Sequence, residues 1–133
     1  GGEPVDKWTR PVAVLQSESN YSDAHFFPWA FKRKGIGKLI GAPVPGTSTA
    51  VWWESQIEHK LIFGIPQGGI TDLEGRYLEN WQLDPDVLVI NDAESVARGE
   101  DKQLAKAVEE LLKEVDADKN SKARAIDTKP EDS

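Results

Sequence analysis

Ser22 is the residue whose type and position most suggest chemistry in this sequence. It follows a short apolar run at residues 12–16 and a polar turn, and Asp23 and an apparent helix come directly after it. A serine at such a strand-to-helix junction lies beside backbone N–H groups that the first helical turn leaves without acceptors. The position therefore favours either a nucleophile with an oxyanion site or an ordinary helix N-cap, and both interpretations stay open.

A serine nucleophile needs a general base, and the sequence offers two histidines, His25 and His59. His25 lies three residues after Ser22 on the same face of the predicted helix, so its ring would project along the helix rather than over the hydroxyl. We expect a partly buried structural histidine there rather than a substitute base. His59 precedes a predicted strand, and we expect it on the surface.

Composition narrows the remaining classes of function. The net charge of −7 and the pI of about 4.8 argue against a general nucleic-acid or membrane-surface partner, since both favour basic patches. Without cysteine there is no disulfide, thiolate nucleophile or zinc–thiolate site, and two histidines do not make a histidine-rich metal site. We predict neither metal nor cofactor. No apolar stretch approaches the roughly 20 residues that a membrane-spanning helix needs.

The elements around Ser22 predict an α/β fold. A buried strand at 12–16, a helix from Ser22 to about residue 34 and a second strand at 37–41 make a strand–helix–strand unit. Such a unit is typical of a parallel, right-handed crossover. Further strands are predicted at 51–53, 61–66 and 87–90, with a turn at 73–76.

The C-terminal part of the chain predicts a helix and then a tail. Helical spacing from about residue 101 to residue 115 places five apolar side chains in one stripe: Leu104, Val108, Leu111, Leu112 and Val115. Residues 116–133 are polar and offer almost nothing to bury, so we predict a flexible tail. The predicted division is a folded unit over 1–115 and a tail over 116–133.

Seven short motifs are spread over residues 2–115. They are Asn20-Tyr21-Ser22-Asp23-Ala24, Phe27-Pro28, Gly37-Lys38-Leu39-Ile40-Gly41, Pro43-Val44-Pro45-Gly46-Thr47, Ala50-Val51-Trp52-Trp53-Glu54, Leu78-Glu79-Asn80 ahead of Asp84-Pro85-Asp86, and Ala97-Arg98-Gly99-Glu100-Asp101-Lys102-Gln103-Leu104. Together they resemble the C-terminal catalytic portion of tricorn-like serine peptidases. These belong to the S41 class, which also contains C-terminal processing proteases.

The resemblance implies a ClpP/crotonase-like ββα core and a role for three residues. Ser22 matches the nucleophile, the backbone N–H of Asp23 would be one oxyanion donor, and Glu79 matches the acid that helps orient the charge relay. In this family the general-base histidine and a glycine-rich Asn-Gly-Gly-Gly loop lie upstream of the matched region. The implied function is a serine peptidase-type hydrolase of short peptides, with its base supplied by a missing N-terminal portion or another chain.

Two other functions remain open. One is a non-catalytic, self-associating folded piece of such a peptidase, because a partial core exposes apolar surface and sheet edge that favour homo-oligomers. The C-terminal helix and the aromatic residues would supply that surface. The other is a weak, promiscuous esterase with an exposed serine. Trp52 and Trp53 face opposite sides of a predicted strand, so one of them could also line a substrate cleft.

Overall fold

The computed structural model describes residues 8–127, with side chains described as far as residue 119. Its elements are β1 (Ala13–Gln16), α1 (Asp23–Arg33), β2 (Lys38–Gly41), β3 (Thr49–Ser55), β4 (Ile62–Gly69), β5 (Val87–Leu88), α2 (Ala93–Ala97) and α3 (Lys102–Asp127). The α/β class predicted from the sequence is confirmed. Among the described residues, no helix combines the length and apolar character that crossing a membrane requires.

The first sheet is parallel and has three strands, in the order β1-β2-β5. β1 and β2 pair in parallel from Ala13 opposite Lys38 to Gln16 opposite Gly41, and α1 forms the connection between them. The predicted strand–helix–strand unit is therefore confirmed. Because β1 ends just before the turn that leads into α1, this topology places Ser22 at the carboxyl edge of the sheet.

The core lies between α1 and the parallel sheet. Its buried cluster consists of Phe31, Leu39, Val44 and Leu83, and Leu39 has no exposed surface. Full burial of one such aliphatic side chain contributes about 1.5–3 kcal/mol. The cluster joins α1 and β2 to two loop segments. Val44 on one segment and Leu83 on the other pair with each other in an isolated antiparallel bridge. The core therefore fixes the beginning of the loop after residue 44, which reaches Ser22 through Thr47, and the end of the loop before residue 83.

Gly41 allows the closest approach in this region. Its φ of +135° is rarely adopted by residues with a side chain, and a Cβ there would lie 1.9 Å from the backbone oxygen of Gln16. That oxygen instead accepts a hydrogen bond of 3.0 Å from the N–H of Ala42. Glycine at this position therefore lets the end of β2 pass tightly beside the end of β1.

β3 and β4 form an antiparallel hairpin with large exposed side chains. The register runs from Thr49 opposite Gly69 to Ser55 opposite Ile62, with an irregularity between positions 50 and 51. The strands predicted at 51–53 and 61–66 are present and longer than expected. Exposed aromatic and aliphatic residues occupy both faces: Trp52, Trp53, Ile62, Phe63 and Ile65.

α3 differs from its prediction in length and in packing. The predicted end at residue 115 is wrong, because the helix continues to Asp127. The segment predicted as a flexible tail is thus helical over 116–127, while 128–133 lie outside the described residues. The helix packs on β1 and β2, but the predicted single stripe divides. Leu111 and Val115 are half-buried, whereas the other three members are exposed: Leu104, Val108 and Leu112.

Candidate active site

Ser22 occupies a strained backbone position at the start of α1. It precedes the first helical residue, with φ of 55° and ψ of −116°, and its side chain is exposed. Residues with a Cβ rarely adopt such angles, and outliers of this kind concentrate at functional sites. Its hydroxyl makes no cap hydrogen bond within the described part of the chain. The side chain is therefore not the N-cap that local sequence alone would favour.

Hydrogen bonds on both sides of Ser22 hold this conformation. The Ser22 N–H donates to Thr47 Oγ1 at 3.0 Å, which ties the strained residue to the loop before β3. Asn20 Nδ2 donates to the carbonyl oxygen of Ala24 at 2.9 Å, and Asn20 Oδ1 accepts from the N–H of Ser17 at 3.2 Å. Polar residues between β1 and α1 thus build a fixed turn that presents the hydroxyl to solvent.

The N–H of Asp23 is open beside this hydroxyl. Asp23 is the first residue of α1, and nothing in the described residues accepts a hydrogen bond from its N–H. A free N–H at a helix start suits a developing negative charge. Ser22 and Asp23 line a small cleft of about 80 Å³ together with Phe26, Ser48, Thr49, Ala50 and Ile70. The cleft lies where α1 meets the base of the β3–β4 hairpin.

Glu79 lies on the other side of the same loop. Its Oε2 accepts from the N–H of Ser48 and from Thr49 Oγ1, each at 2.7 Å. The hydrogen bond from Thr49, followed by the one from Ser48, lowers the pKa of Glu79 below its ordinary value. The carboxylate is therefore held charged and oriented by two donors, as a supporting acid requires.

Residues 47–49 connect Ser22, Glu79 and His25, and they are not among the site residues predicted from the sequence. Thr47 holds the Ser22 amide, Ser48 and Thr49 hold Glu79, and Ser48 Oγ also contacts His25 Nδ1 at 2.5 Å. We call Thr47-Ser48-Thr49 the hydroxyl segment. Three consecutive hydroxyl residues directly after a Pro/Gly loop were the available signal.

Neither histidine acts on Ser22 in this structure. His25 is buried with 1% of its surface exposed, and burial lowers the pKa of its imidazole. Its ring contacts Ser48 rather than the Ser22 hydroxyl. His59 is exposed in the connection between β3 and β4. Within residues 8–127, therefore, no histidine hydrogen-bonds to the Ser22 hydroxyl.

Comparison with known proteins finds relatives among tricorn and tricorn-like proteases. Tricorn protease of Thermoplasma acidophilum is 24% identical over 113 residues, which cover 84% of this chain and 11% of that protein. A putative tricorn-like protease C-terminal subunit of Sulfurisphaera tokodaii is 29% identical over 116 residues, covering 85% of this chain and 14% of the relative. The chain thus spans only a small part of the length of these curated relatives.

Solved structures and a family model agree with these relatives. The crystal structure of the tricorn protease aligns with a TM-score of 0.70 and 25% identity over 78% of this chain and 10% of that one. Mature CPAF shares the fold, with a TM-score of 0.60 and 21% identity over 70% of this chain and 18% of its own. The sequence model of peptidase family S41 matches residues 2–89, which contain Ser22, Asp23 and Glu79. The expected resemblance is confirmed, and the chain belongs to peptidase family S41.

Proposed function

We propose that this chain is the nucleophile-bearing part of a serine peptidase-type hydrolase. One observation carries the proposal: Ser22 is exposed in a strained conformation at a strand-to-helix junction, directly beside an unpaired Asp23 N–H. Nucleophilic serines in other hydrolases use the same combination of a sharp turn and an adjacent amide. Family membership makes peptides the substrate class, and the ClpP/crotonase-like form of the core stays a prediction.

The proposed reaction proceeds through an acyl-enzyme. Ser22 Oγ attacks the carbonyl carbon of a peptide bond, and its proton passes to a base outside residues 8–127. The Asp23 N–H stabilises the negative oxygen of the tetrahedral intermediate, which collapses as the C–N bond breaks and the amine leaves with a proton. Water then hydrolyses the ester and restores the hydroxyl. Glu79 supports the relay through its fixed negative charge.

The exposed apolar surfaces favour completion of the site by another polypeptide. Trp52 and Trp53 are more than half exposed on opposite faces of β3, and Leu104, Val108 and Leu112 form an exposed row on α3. A two-stranded hairpin alone is marginally stable in water, so these surfaces need partners. We propose that they bind the remainder of a catalytic domain or further copies of this chain. Self-association without catalysis is the second candidate function.

A fluorophosphonate probe tests the first proposal on the purified chain. We expect slow labelling, because the general base lies outside residues 8–127, which disappears in Ser22→Ala and persists in Ser19→Ala, a matched control three residues away in the same turn. If the unaltered chain is not labelled, the result contradicts the proposal that Ser22 is an activated nucleophile in the purified chain. Labelling with hydrolysis of simple esters but not of short peptides would instead favour the promiscuous esterase.

Sedimentation tests the second candidate. We expect the chain to associate, and the double variant Trp52→Ser, Trp53→Ser to sediment as a monomer at the same concentration. His59→Ser is the control on the same hairpin because its side chain is exposed and polar. A wild-type chain that stays monomeric would contradict this candidate.

A further inference from the structure

We propose that His25 is a positioning residue, which acts through Ser48 to fix the hydroxyl segment and thereby the placement of Glu79 relative to Ser22. The inference rests on the proposed function, since a fixed acid matters only if Glu79 serves the Ser22 centre. His25 itself contacts neither the Ser22 hydroxyl nor the Glu79 carboxylate. Its positional influence passes through hydrogen bonds of the hydroxyl segment, and its charge when protonated also lowers the pKa of Glu79 without contact.

The chain of contacts begins on the helix that starts at Ser22. His25 lies one turn into α1, and its N–H donates to the carbonyl oxygen of Ser22 at 2.8 Å. Its Nδ1 contacts Ser48 Oγ at 2.5 Å, and the Ser48 N–H donates to Glu79 Oε2 at 2.7 Å. One histidine therefore links the backbone of the nucleophile to the residue that holds the acid.

Burial makes these polar contacts obligatory. His25 is 1% exposed and Ser48 is 5% exposed, so neither side chain can exchange its partner for bulk water. A buried polar group that loses its partner costs about 1–3 kcal/mol. We assign the tautomer of the neutral imidazole in which Nδ1 accepts from the Ser48 hydroxyl.

The segment that carries Glu79 is tied to the same loop by the backbone. Asn80, directly after Glu79, has a φ of 61° and donates its N–H to the carbonyl oxygen of Gly46 at 2.9 Å. His25 therefore contacts, through Ser48, a loop at 46–49 that is itself hydrogen-bonded to both Glu79 and Asn80. An apolar side chain could fill the volume of the ring, but it could not hydrogen-bond to Ser48.

Nuclear magnetic resonance on the labelled full chain tests this role without requiring activity. The titration of the Glu79 side-chain carboxyl carbon is followed in wild type, His25→Phe, His25→Asn, His25→Gln and Ser48→Ala. Asparagine can place its Oδ1 near the position of Nδ1, whereas phenylalanine keeps the ring without either nitrogen and glutamine extends toward the position of Nε2. His59→Phe makes the same change at the exposed histidine and serves as the control.

We expect the Glu79 titration midpoint to shift upward in His25→Phe, His25→Gln and Ser48→Ala, to shift less in His25→Asn, which loses only the charge of His25, and to stay at the wild-type value in His59→Phe. The Ser48 amide proton should follow the Glu79 titration in wild type and cease to follow it in His25→Phe. An unchanged Glu79 midpoint in His25→Phe, or equal shifts in His25→Phe and His25→Asn, would overturn the proposal.

If His25→Phe fails to fold, Ser48→Ala decides, with an unchanged midpoint counting against the proposal. If only the positioning role of His25 fails, fluorophosphonate still labels Ser22. If the proposed function fails, labelling is absent but the expected shifts of the Glu79 midpoint still occur. The two results are therefore distinguishable.

Discussion

We expect the Ser22→Gly variant to be more stable to unfolding than the Ser22→Ala variant. Both variants delete the hydroxyl, so any contribution of the hydroxyl cancels in the comparison. The two variants differ in the Cβ, which the backbone at φ 55° and ψ −116° accommodates poorly. The comparison therefore isolates the strain stored at the proposed nucleophile.

The magnitude follows from two opposing effects. A residue with a side chain held in such a sparsely populated region costs about 1–3 kcal/mol, and glycine relieves most of this cost. Glycine also loses more conformational freedom on folding, which costs about 0.5–1 kcal/mol relative to alanine. The central values of these two effects leave Ser22→Gly more stable than Ser22→Ala by about 1 kcal/mol.

Urea unfolding monitored by tryptophan fluorescence measures this difference. Glu109→Gly and Glu109→Ala provide a matched control inside α3, where ordinary helical geometry makes glycine less stable than alanine by about 1 kcal/mol. The expected signs are therefore opposite at the two positions. A Ser22→Gly variant that is equal to or less stable than Ser22→Ala would refute the claim that Ser22 is strained.

Three further predictions concern stability. Burial lowers the pKa of His25, so the imidazole binds a proton more tightly in the unfolded chain than in the folded protein. The contribution of neutral His25 to the free energy of unfolding is therefore complete above about pH 6.5, and it declines as the pH falls through the pKa of the folded state. Urea unfolding from about pH 8 to about pH 5 should show that decline, and an equally steep profile in His25→Gln would contradict it. Leu39→Ala should lower the free energy of unfolding by about 2–5 kcal/mol, because the side chain has no exposed surface; a loss below about 1 kcal/mol would contradict its place in the core. Gly41→Ala should yield little folded protein by circular dichroism, since its Cβ would collide with Gln16, and normal yield with native spectra would count against that close approach.

The strand–helix–strand unit around Ser22 was predictable because its signals are local. A short apolar run, a polar turn and helical spacing with a basic last turn all lie within residues 12–41. The strain at Ser22 was not predictable from these signals, since a serine before a helix usually serves as its N-cap. It arises from the contact with Thr47, a residue 25 positions away.

The contacts that the hydroxyl segment makes with His25 and with Glu79 could not be predicted for the same reason. The contact of Ser48 with His25 spans 23 positions and its contact with Glu79 spans 31, and sequence periodicity carries no information on such pairs. The end of α3 was misplaced for another reason. Residues 116–127 lack an apolar stripe, but they also lack glycine and proline, so nothing stops the helix.

The central claim is that Ser22 is a nucleophile whose neighbouring Asp23 N–H stabilises the oxyanion. A crystal structure of the chain after reaction with a fluorophosphonate tests it most directly, because the phosphonyl oxygen stands in for that oxyanion. We predict a covalent bond from phosphorus to Ser22 Oγ, with the phosphonyl oxygen accepting a hydrogen bond from the Asp23 N–H. An adduct on another residue, or a phosphonyl oxygen directed away from Asp23, would contradict the claim.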